Sequence, residues 1–311
     1  MSLKRFLRRS LNYFCVGALA PTLVFAHGYA GARFFPATIA TDDPFVADEL
    51  SLPTVSTFRQ AGDPATRVTA LSVDYTKRIT PRFGLGFGES YQFVSPDVGP
   101  GTVGWDNLDL SAKYLVFESD IHEVLLSLGI DASVGNTGTA RAGAEPTSVV
   151  SPGVFFGKGM GDLPNSLGWL RPLAVTGVIS YDVPVRASVT TDGQAELNPH
   201  VLNTGLAIEY SLPYLQSQVR DLGLGAPFDQ LIPLVELALS TPVDRGQGGQ
   251  TTGTVSPGVL WIGRNMQVGL EAVIPVNGRT GNSVGVTFQL HWFLDDLFPH
   301  GLGAPLFGGR T

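Results

Sequence analysis

The chain has 311 residues, a formal net charge of −7 and only 15% charged residues. It contains 38 glycines, well above the ~7% that is usual for proteins. An acidic chain of this composition lacks the basic surface that nucleic acids require, so we exclude a nucleic-acid-binding protein. The length suits one large barrel or two ordinary domains.

The N-terminus has the pattern of a secretory signal peptide. Basic residues between positions 4 and 9 precede an apolar run over residues 11–25, and a small residue, Ala26, follows at a suitable cleavage site. We predict a signal peptide over residues 1–26. A retained anchor helix and cleavage nearer to Ala30 are the alternatives. No later run of about 18 apolar residues predicts a membrane helix.

Residues 27–48 follow no regular period, and Pro36 and Pro44 interrupt any helix or strand. The segment is nevertheless too rich in aromatic side chains for a free linker. We predict that it packs against the domain that follows and, if that domain is hollow, plugs its mouth. A disordered periplasmic tail is the alternative. The candidate plug residues are Arg33, Phe34 and Phe35.

From Glu49 onward the sequence alternates between apolar and small polar residues, which is the period of a β-strand. The clearest example is residues 283–294, where Val284 and Trp292 share one face and Gln289 and His291 share the other. Glu89 interrupts one apolar face and predicts a bulge or the membrane edge. The predicted strands are 49–58, 67–77, 83–94, 105–117, 122–135, 147–157, 169–182, 200–212, 231–242, 252–263, 266–276 and 283–294.

The connections between these strands alternate in length. Short turns over 80–82, 119–121 and 264–265 alternate with longer segments rich in Gly, Asp, Thr and Pro. Outer-membrane barrels have short periplasmic turns, longer external loops and an even number of strands, so we predict that both termini are periplasmic. Two connections on the short side are longer. In residues 213–230 the spacing of apolar residues predicts a short amphipathic helix at the periplasmic rim, with an irregular turn as the alternative.

The polar face distinguishes a membrane barrel from a soluble β-sandwich. A sandwich shows water a face rich in Lys and Glu, whereas here that face is mainly Gly, Ser, Thr and Asn. Closure also pairs every backbone donor and acceptor, as the bilayer requires. We therefore predict an all-β fold: a single transmembrane antiparallel up-and-down β-barrel of about twelve strands over residues 49–294. A periplasmic tail over residues 295–311 follows it. The expected surroundings are outer-membrane lipid and the barrel-assembly machinery of a Gram-negative bacterium.

Two short blocks carry a resemblance to a known family. They are W-D-N-L-D-L-S-A-K-Y at residues 105–114 and S-L-P-Y-L at residues 211–215, within a chain of glycine-rich strands. With these features the chain resembles the Gram-negative outer-membrane barrels associated with the phenol meta-cleavage pathway. The resemblance implies a barrel of about this strand number and a role in uptake of small organic molecules. The chain departs from the usual ending of such barrels, because it continues after Leu294 instead of stopping at an aromatic residue.

Several polar residues fall on the face that would line the barrel interior. Inward charges usually form ion pairs and set selectivity. Acids outnumber bases among them, so the interior should disfavour anions unless Arg33 or another plug residue neutralises it. The candidate lumen and selectivity residues are Asp74, Asp109, Lys113, Glu123, Asp131, Glu209, Glu236, Glu271, Gln289 and His291.

The pattern favours a barrel that passes or binds small solutes, including apolar or aromatic ones. One rival hypothesis is a barrel-embedded lipid-modifying hydrolase, which would require a Ser–His contact at the membrane face, with His291 as the candidate base. The G-x-S-x-G sequence at residues 281–285 leads into a predicted strand and does not join a strand to a helix, as the nucleophile motif of hydrolases does, so we predict a protein that is not an enzyme. A structural barrel with a filled lumen is the third hypothesis. The histidines show no zinc-binding spacing, and we predict no metal or cofactor.

Overall fold

A computed structural model describes residues 28–191 and 194–308. The predicted signal peptide over residues 1–26 lies outside these ranges. Within them, no helix has the length and apolar character needed to cross a membrane.

The described chain is built mainly from β-strands joined by short helical turns. The helical turns are Ala140–Ala142, Asn165–Leu170, Leu212–Tyr214, Leu215–Val219, Phe228–Gln230 and Leu294–Leu297. The strands are β1 Tyr29–Ala30, β2 Arg33–Phe34, β3 Glu49–Gln60, β4 Thr66–Thr80, β5 Phe83–Pro96, β6 Thr102–Trp105, β7 Leu108–Ser119, β8 Val124–Val134, β9 Val149–Gly159, β10 Leu173–Pro184, β11 Ser188–Thr191, β12 Gln194–Leu197, β13 Val201–Tyr210, β14 Leu231–Pro242, β15 Thr252–Ile262, β16 Met266–Pro275 and β17 Gly285–Phe293.

Twelve of these strands form one closed antiparallel barrel. Each of β3, β4, β5, β7, β8, β9, β10, β13, β14, β15, β16 and β17 pairs with the next in this order. The last strand, β17, pairs with the first, β3, and this pairing closes the ring. The predicted all-β, twelve-stranded up-and-down barrel is confirmed.

The alternating sequence places apolar side chains on the outside of the barrel. On β8, Leu128 is 50% exposed while the preceding Ser127 is fully buried. On β14, Val235 is 45% exposed and Glu236 is fully buried. A belt of exposed apolar side chains around a barrel with buried polar side chains is the pattern of a protein that faces lipid.

The observed strands differ most from the predicted ones in two places. The predicted strand over 105–117 is divided, because Asp106 and Asn107 leave the ladder. Its first residue, Trp105, is the last residue of β6, which pairs with β5, whereas β7 begins at Leu108. The long connection between the predicted strands 169–182 and 200–212 contains an additional hairpin made of β11 and β12. The sequence does not reveal this hairpin. Because the hairpin faces solvent on both sides, its polar, threonine-rich strands show no alternation of apolar and polar residues.

The bulge expected at Glu89 is absent from the β4–β5 ladder, where Glu89 pairs in register with Val73. Instead β5 changes its second neighbour at this point. Residues up to Gly88 pair with β7, and residues from Tyr91 pair with β6. Glu89 therefore lies at the position where β5 stops pairing with β7 and begins to pair with β6.

The connection between β13 and β14 begins with the predicted helical segment. Ser211 accepts a hydrogen bond at 3.1 Å from the backbone N–H of Tyr214 and so caps the helical turns Leu212–Tyr214 and Leu215–Val219. Tyr214 and Leu215 are buried. The rest of the connection is irregular up to Phe228–Gln230.

Candidate functional site

Residues 28–48 lie inside the barrel. The segment forms hydrogen bonds with lumen-facing side chains of strands all around the ring. A chain can contact opposite walls of a closed barrel in this way only from within. The contacting side chains are Thr76 on β4, Lys113 on β7, Ser127 on β8, Glu236 on β14 and Gln267 on β16.

Arg33 fixes the first part of the segment at one rim of the barrel. Its side chain is 1% exposed, and its Nε donates to Glu123 Oε2 at 3.2 Å. Nη1 donates to the carbonyl oxygen of Pro172 at 2.9 Å, and the guanidinium lies 3.8 Å from the ring centre of Tyr214. The Tyr214 hydroxyl donates to Glu123 Oε1 at 2.8 Å. A buried arginine paired and hydrogen-bonded in this way satisfies its charge.

Apolar side chains of the segment fill the lumen beyond this rim. Phe35 and Phe45 are buried against lumen-facing Leu115 and Leu125. Phe34 packs on the opposite side against the cluster of Ile232, Leu234 and Leu260, and its ring centre lies 6.0 Å from that of Phe293. The three candidate plug residues are therefore all inside, one charged and two apolar.

Glycine makes room for the segment where it approaches the wall. A Cβ at Gly157 on β9 would lie 2.9 Å from Pro44 Cγ and 3.2 Å from Phe35 Cε1. A Cβ at Gly205 on β13 would lie 3.1 Å from Thr41 Cβ. A larger residue at Gly157 would displace the segment, whereas a Cβ at Gly205 would contact the side chain of Thr41.

Glu236 holds the apex of the segment. Its Oε1 accepts from the N–H of Ile39 at 2.7 Å, and its Oε2 accepts from the N–H groups of Ala40 and Thr41 at 3.0 and 2.7 Å. The hydroxyl of Thr41 adds a fourth donor to Oε2 at 2.8 Å. Hydrogen bonds to a charged acceptor are stronger than neutral ones, so this carboxylate is a strong polar contact of the apex.

The segment ends at Asp48, which is fully buried. Its carboxylate accepts from Lys77 Nζ at 2.7 Å and from Arg78 Nε at 2.7 Å. The same two basic side chains donate to the carbonyl oxygens of Leu302 and Gly303 in the C-terminal tail, at 2.8 and 3.0 Å. Asp48 therefore joins the segment, β4 and the tail in one polar cluster.

Lys113 links the apex to the opposite wall. Its Nζ donates to Asp42 Oδ1 at 2.8 Å and to the carbonyl oxygen of Asp43 at 2.7 Å, and it lies 3.5 Å from Asp43 Oδ1. Burial raises the pKa of Asp43 well above its ordinary value, although the nearby Lys113 opposes this change. Lys113 is the one predicted basic lumen residue, and it is engaged by the segment.

A cavity of about 500 Å³ lies between residues 37–49 and the wall formed by β3, β4, β5, β7, β8 and β17. Asp74 and Asp109 face each other across Gly88, which is the register partner of both. A Cβ at Gly88 would lie 2.6 Å from Asp74 Oδ1. The predicted lumen residues that line this cavity are Asp74, Asp109, Lys113, Asp131, Gln289 and His291.

The other predicted lumen residues lie elsewhere. Glu123 belongs to the Arg33 cluster at the rim. Glu209, Glu236 and Glu271 are buried on the opposite wall, where Thr176 Oγ1 donates to Glu209 Oε1 at 3.4 Å. The ten predicted residues therefore do not form one selectivity ring. They divide between the rim cluster, the cavity and the opposite wall, where Glu236 holds the apex.

Ser51, His291 and Glu49 form a chain of polar contacts that the strand pattern did not reveal. Ser51 Oγ lies 2.9 Å from His291 Nδ1, and His291 Nε2 lies 3.5 Å from Glu49 Oε1. All three are buried beside the cavity. This Ser–His contact is on the lumen side of the barrel, whereas the hydrolase hypothesis required one at the membrane face. Ser51 precedes a break in the β3 register between Ser51 and Thr54, which a simple alternation rule does not anticipate.

Within the two ranges that the structure covers, no group of three or more His, Cys, Asp and Glu side chains is arranged to hold a metal ion.

Comparison with known proteins identifies solved structures of similar fold. No family model and no curated protein matches the chain. A solved outer membrane channel from Pseudomonas putida F1 matches with a TM-score of 0.54 and 13% identity, over 84% of this chain and 99% of that chain. The NanC porin matches with a TM-score of 0.46 and 10% identity, over 78% of this chain and 98% of that chain.

The fold is therefore that of an outer-membrane β-barrel, and the predicted resemblance to such barrels is confirmed. Within this class the chain is a twelve-stranded barrel whose N-terminal segment is folded into its own lumen.

Proposed function

We propose that the protein spans the outer membrane of a Gram-negative bacterium and passes small solutes through a lumen that residues 28–48 gate. The observation that carries this proposal is the position of the segment, which fills one part of the lumen and leaves a cavity of about 500 Å³ beside it. A cavity of this size matches the pockets that hold small molecules. The likeness to a solved outer membrane channel supports the same class of function.

The contacts of the segment suit a gate with fixed ends. Arg33 and Asp48 are buried in ion pairs near its two ends. The apex between them is held by hydrogen bonds to Glu236 and by Lys113. These polar contacts can be replaced by water if the apex moves, whereas release of the ends would leave buried charges unpaired. The gate therefore opens by displacement of residues 37–43.

The cavity also suggests what the solute contacts. Phe45 and Val46 of the segment line one side, and the carboxylates of Asp74 and Asp109 line another. The apolar side suits the apolar or aromatic part of a small organic solute. The acidic side disfavours anions, in keeping with the imbalance of lumen charges. Both termini lie on the periplasmic side in this proposal, and the protein reaches the membrane through the barrel-assembly machinery.

A reversible lock tests the gate. The Cβ of Thr41 lies 3.1 Å from the ideal Cβ position of Gly205, which is shorter than the ~3.5–4.5 Å of disulfides, so the apex must move outward by a few tenths of an ångström to accept the bond. The sole cysteine of the sequence is Cys15, within the predicted signal peptide. The double variant Thr41→Cys with Gly205→Cys therefore forms a disulfide between apex and wall. Single-channel conductance of the purified protein in a planar bilayer is recorded before and after reduction.

We expect few opening events in the oxidised double variant and more frequent or larger events after reduction. Each single cysteine variant is the control and responds to reductant no more than the wild type. Equal conductance in the oxidised and reduced double variant, with the disulfide verified by mass spectrometry, contradicts gating by the apex. Silence in both states favours the filled structural barrel.

A further inference from the structure

The cavity beside the segment contains carboxylates that form no ion pair with a basic side chain in the described part of the chain. Asp74 and Asp109 are exposed to the lumen, and Asp131 is half-buried. Among residues 28–191 and 194–308, neither Lys nor Arg forms an ion pair with any of these three. They lie on β4, β7 and β8, so they form one acidic wall. Gly88 leaves the space between Asp74 and Asp109 open.

The balance of charge around the cavity is strongly negative. Six acidic residues line it, against Lys113 and His291. Lys113 is already engaged by the two aspartates of the segment, at 2.8 Å from Asp42 and 3.5 Å from Asp43. His291 faces the sixth acid, Glu49. The carboxylates of the acidic wall are left for a cation from outside the chain.

A second feature indicates a ligand with N–H donors. Gln289 lines the same cavity and is only 6% exposed. Its Nε2 lies 3.4 Å from Thr54 Oγ1, whereas its Oε1 receives no hydrogen bond from the described part of the chain. A buried amide oxygen without a donor is costly, and a ligand that donates a hydrogen bond would remove this cost.

The remaining lining favours an organic cation over a metal ion. Ala37, Ile39, Phe45 and Val46 give the cavity an apolar side. The acidic residues are spread over several strands and do not meet in a metal-binding group within the ranges described. An ammonium group carries three donors, which carboxylate and amide oxygens can accept, while an alkyl chain contacts the apolar side.

We propose that this cavity binds a small primary ammonium compound. The ammonium group lies beside Asp74, whose strand is two strands from Asp109 on one side and two strands from Gln289 on the other, and the alkyl part lies on Phe45 and Val46. This inference rests on the proposed function, since it names the chemical class of the solute. The three carboxylates determine the preference for positive charge, and Gln289 contributes a directional acceptor.

Isothermal titration calorimetry of the full mature protein in detergent tests the site. The probe is butylammonium chloride, and sodium butyrate is the matched probe of opposite charge. The test variant is Asp74→Asn with Asp109→Asn, which keeps the side-chain size. The matched control is Asp221→Asn, since Asp221 is exposed in the connection between β13 and β14 and serves there only as an acceptor for the N–H of Gly223.

We expect saturable binding of butylammonium to the wild type and to Asp221→Asn, and at least tenfold weaker binding to the double variant. Butyrate gives no saturable heat. Gln289→Leu, measured in parallel, weakens binding without changing the charge. Equal affinity in the double variant and the control overturns the site, as does equal binding of butyrate. The retained heat-modifiable mobility of each variant in gel electrophoresis verifies that it is folded.

The outcomes separate this inference from the proposed function. If conductance responds to the Thr41–Gly205 disulfide but butylammonium does not bind, the gate is supported and the binding site is refuted. If butylammonium binds but the protein never conducts, the binding site is supported and solute passage is refuted.

Discussion

The contact of Glu236 with the apex gives the sharpest prediction. In Glu236→Gln one carboxylate oxygen becomes an NH₂ group, which faces at least one of the four donors that now approach the carboxylate. The loss of one hydrogen bond to a charged group costs about 1.5–3 kcal/mol. Because each ~1.4 kcal/mol is a factor of ten, the undocked population of the apex should rise by roughly ten- to hundredfold.

Hydrogen exchange measures this population directly. Peptides that cover residues 37–43 should exchange faster in Glu236→Gln by that factor, while peptides from the barrel strands keep their protection. The barrel itself should keep its stability, because the donors that lose an acceptor belong to residues 39–41 of the segment and not to the barrel strands. Glu196→Gln, in the exposed hairpin of β11 and β12, is the matched control. Unchanged exchange at residues 37–43 in Glu236→Gln would refute the reasoning.

Three further predictions concern the docked segment. Arg33→Met leaves Glu123 buried without its cation, so thermal unfolding should show a loss of about 3 kcal/mol, and an unchanged melting temperature would count against the rim cluster. Gly157→Ala should make residues 28–48 sensitive to protease, whereas Gly225→Ala, whose added Cβ meets open space, should not. Burial raises the pKa of Asp43 when the segment is docked. The docked state therefore binds a proton at Asp43 more tightly than the undocked state, and docking becomes more stable as the pH falls. Acidification should therefore increase protection of residues 40–43 more in the wild type than in Asp43→Asn, and equal responses would contradict this.

The barrel could be predicted because each of its strands carries its own evidence. Outward residues such as Leu128, Ile130 and Val235 must be apolar to face lipid, and the residues between them must fit a crowded lumen. This alternation is local in sequence, so no knowledge of distant contacts is needed. The division at Asp106 was missed because the break involves two polar residues in an otherwise regular pattern.

The internal contacts could not be predicted in the same way. Arg33 meets Glu123 across 90 positions of sequence, and Glu236 meets Thr41 across 195. Neither pairing has a sequence signal, because many acidic residues occupy lumen-facing positions on the strands. The excess of inward acids was visible, but its division between apex, rim and cavity depends on where the segment runs. The alternation of residues along a strand shows which face of the sheet a side chain lies on, but not which side chain it meets across the lumen.

Ser51 shows a second reason for missed site residues. The break in pairing between Ser51 and Thr54 shifts the register of β3 at its start. Sequence alternation assumes a regular ladder, so it assigned no role to Ser51 or Glu49. Their contacts with His291 appear only when β17 closes the barrel against β3.

The measurement that tests the central claim most directly is single-channel conductance of the refolded protein in a planar bilayer, with and without residues 28–48. If the segment gates a solute path, its deletion enlarges the conductance steps and removes the effect of Glu236→Gln. Identical steps in the two proteins, or silence in both with the barrel shown to be folded, would contradict the account.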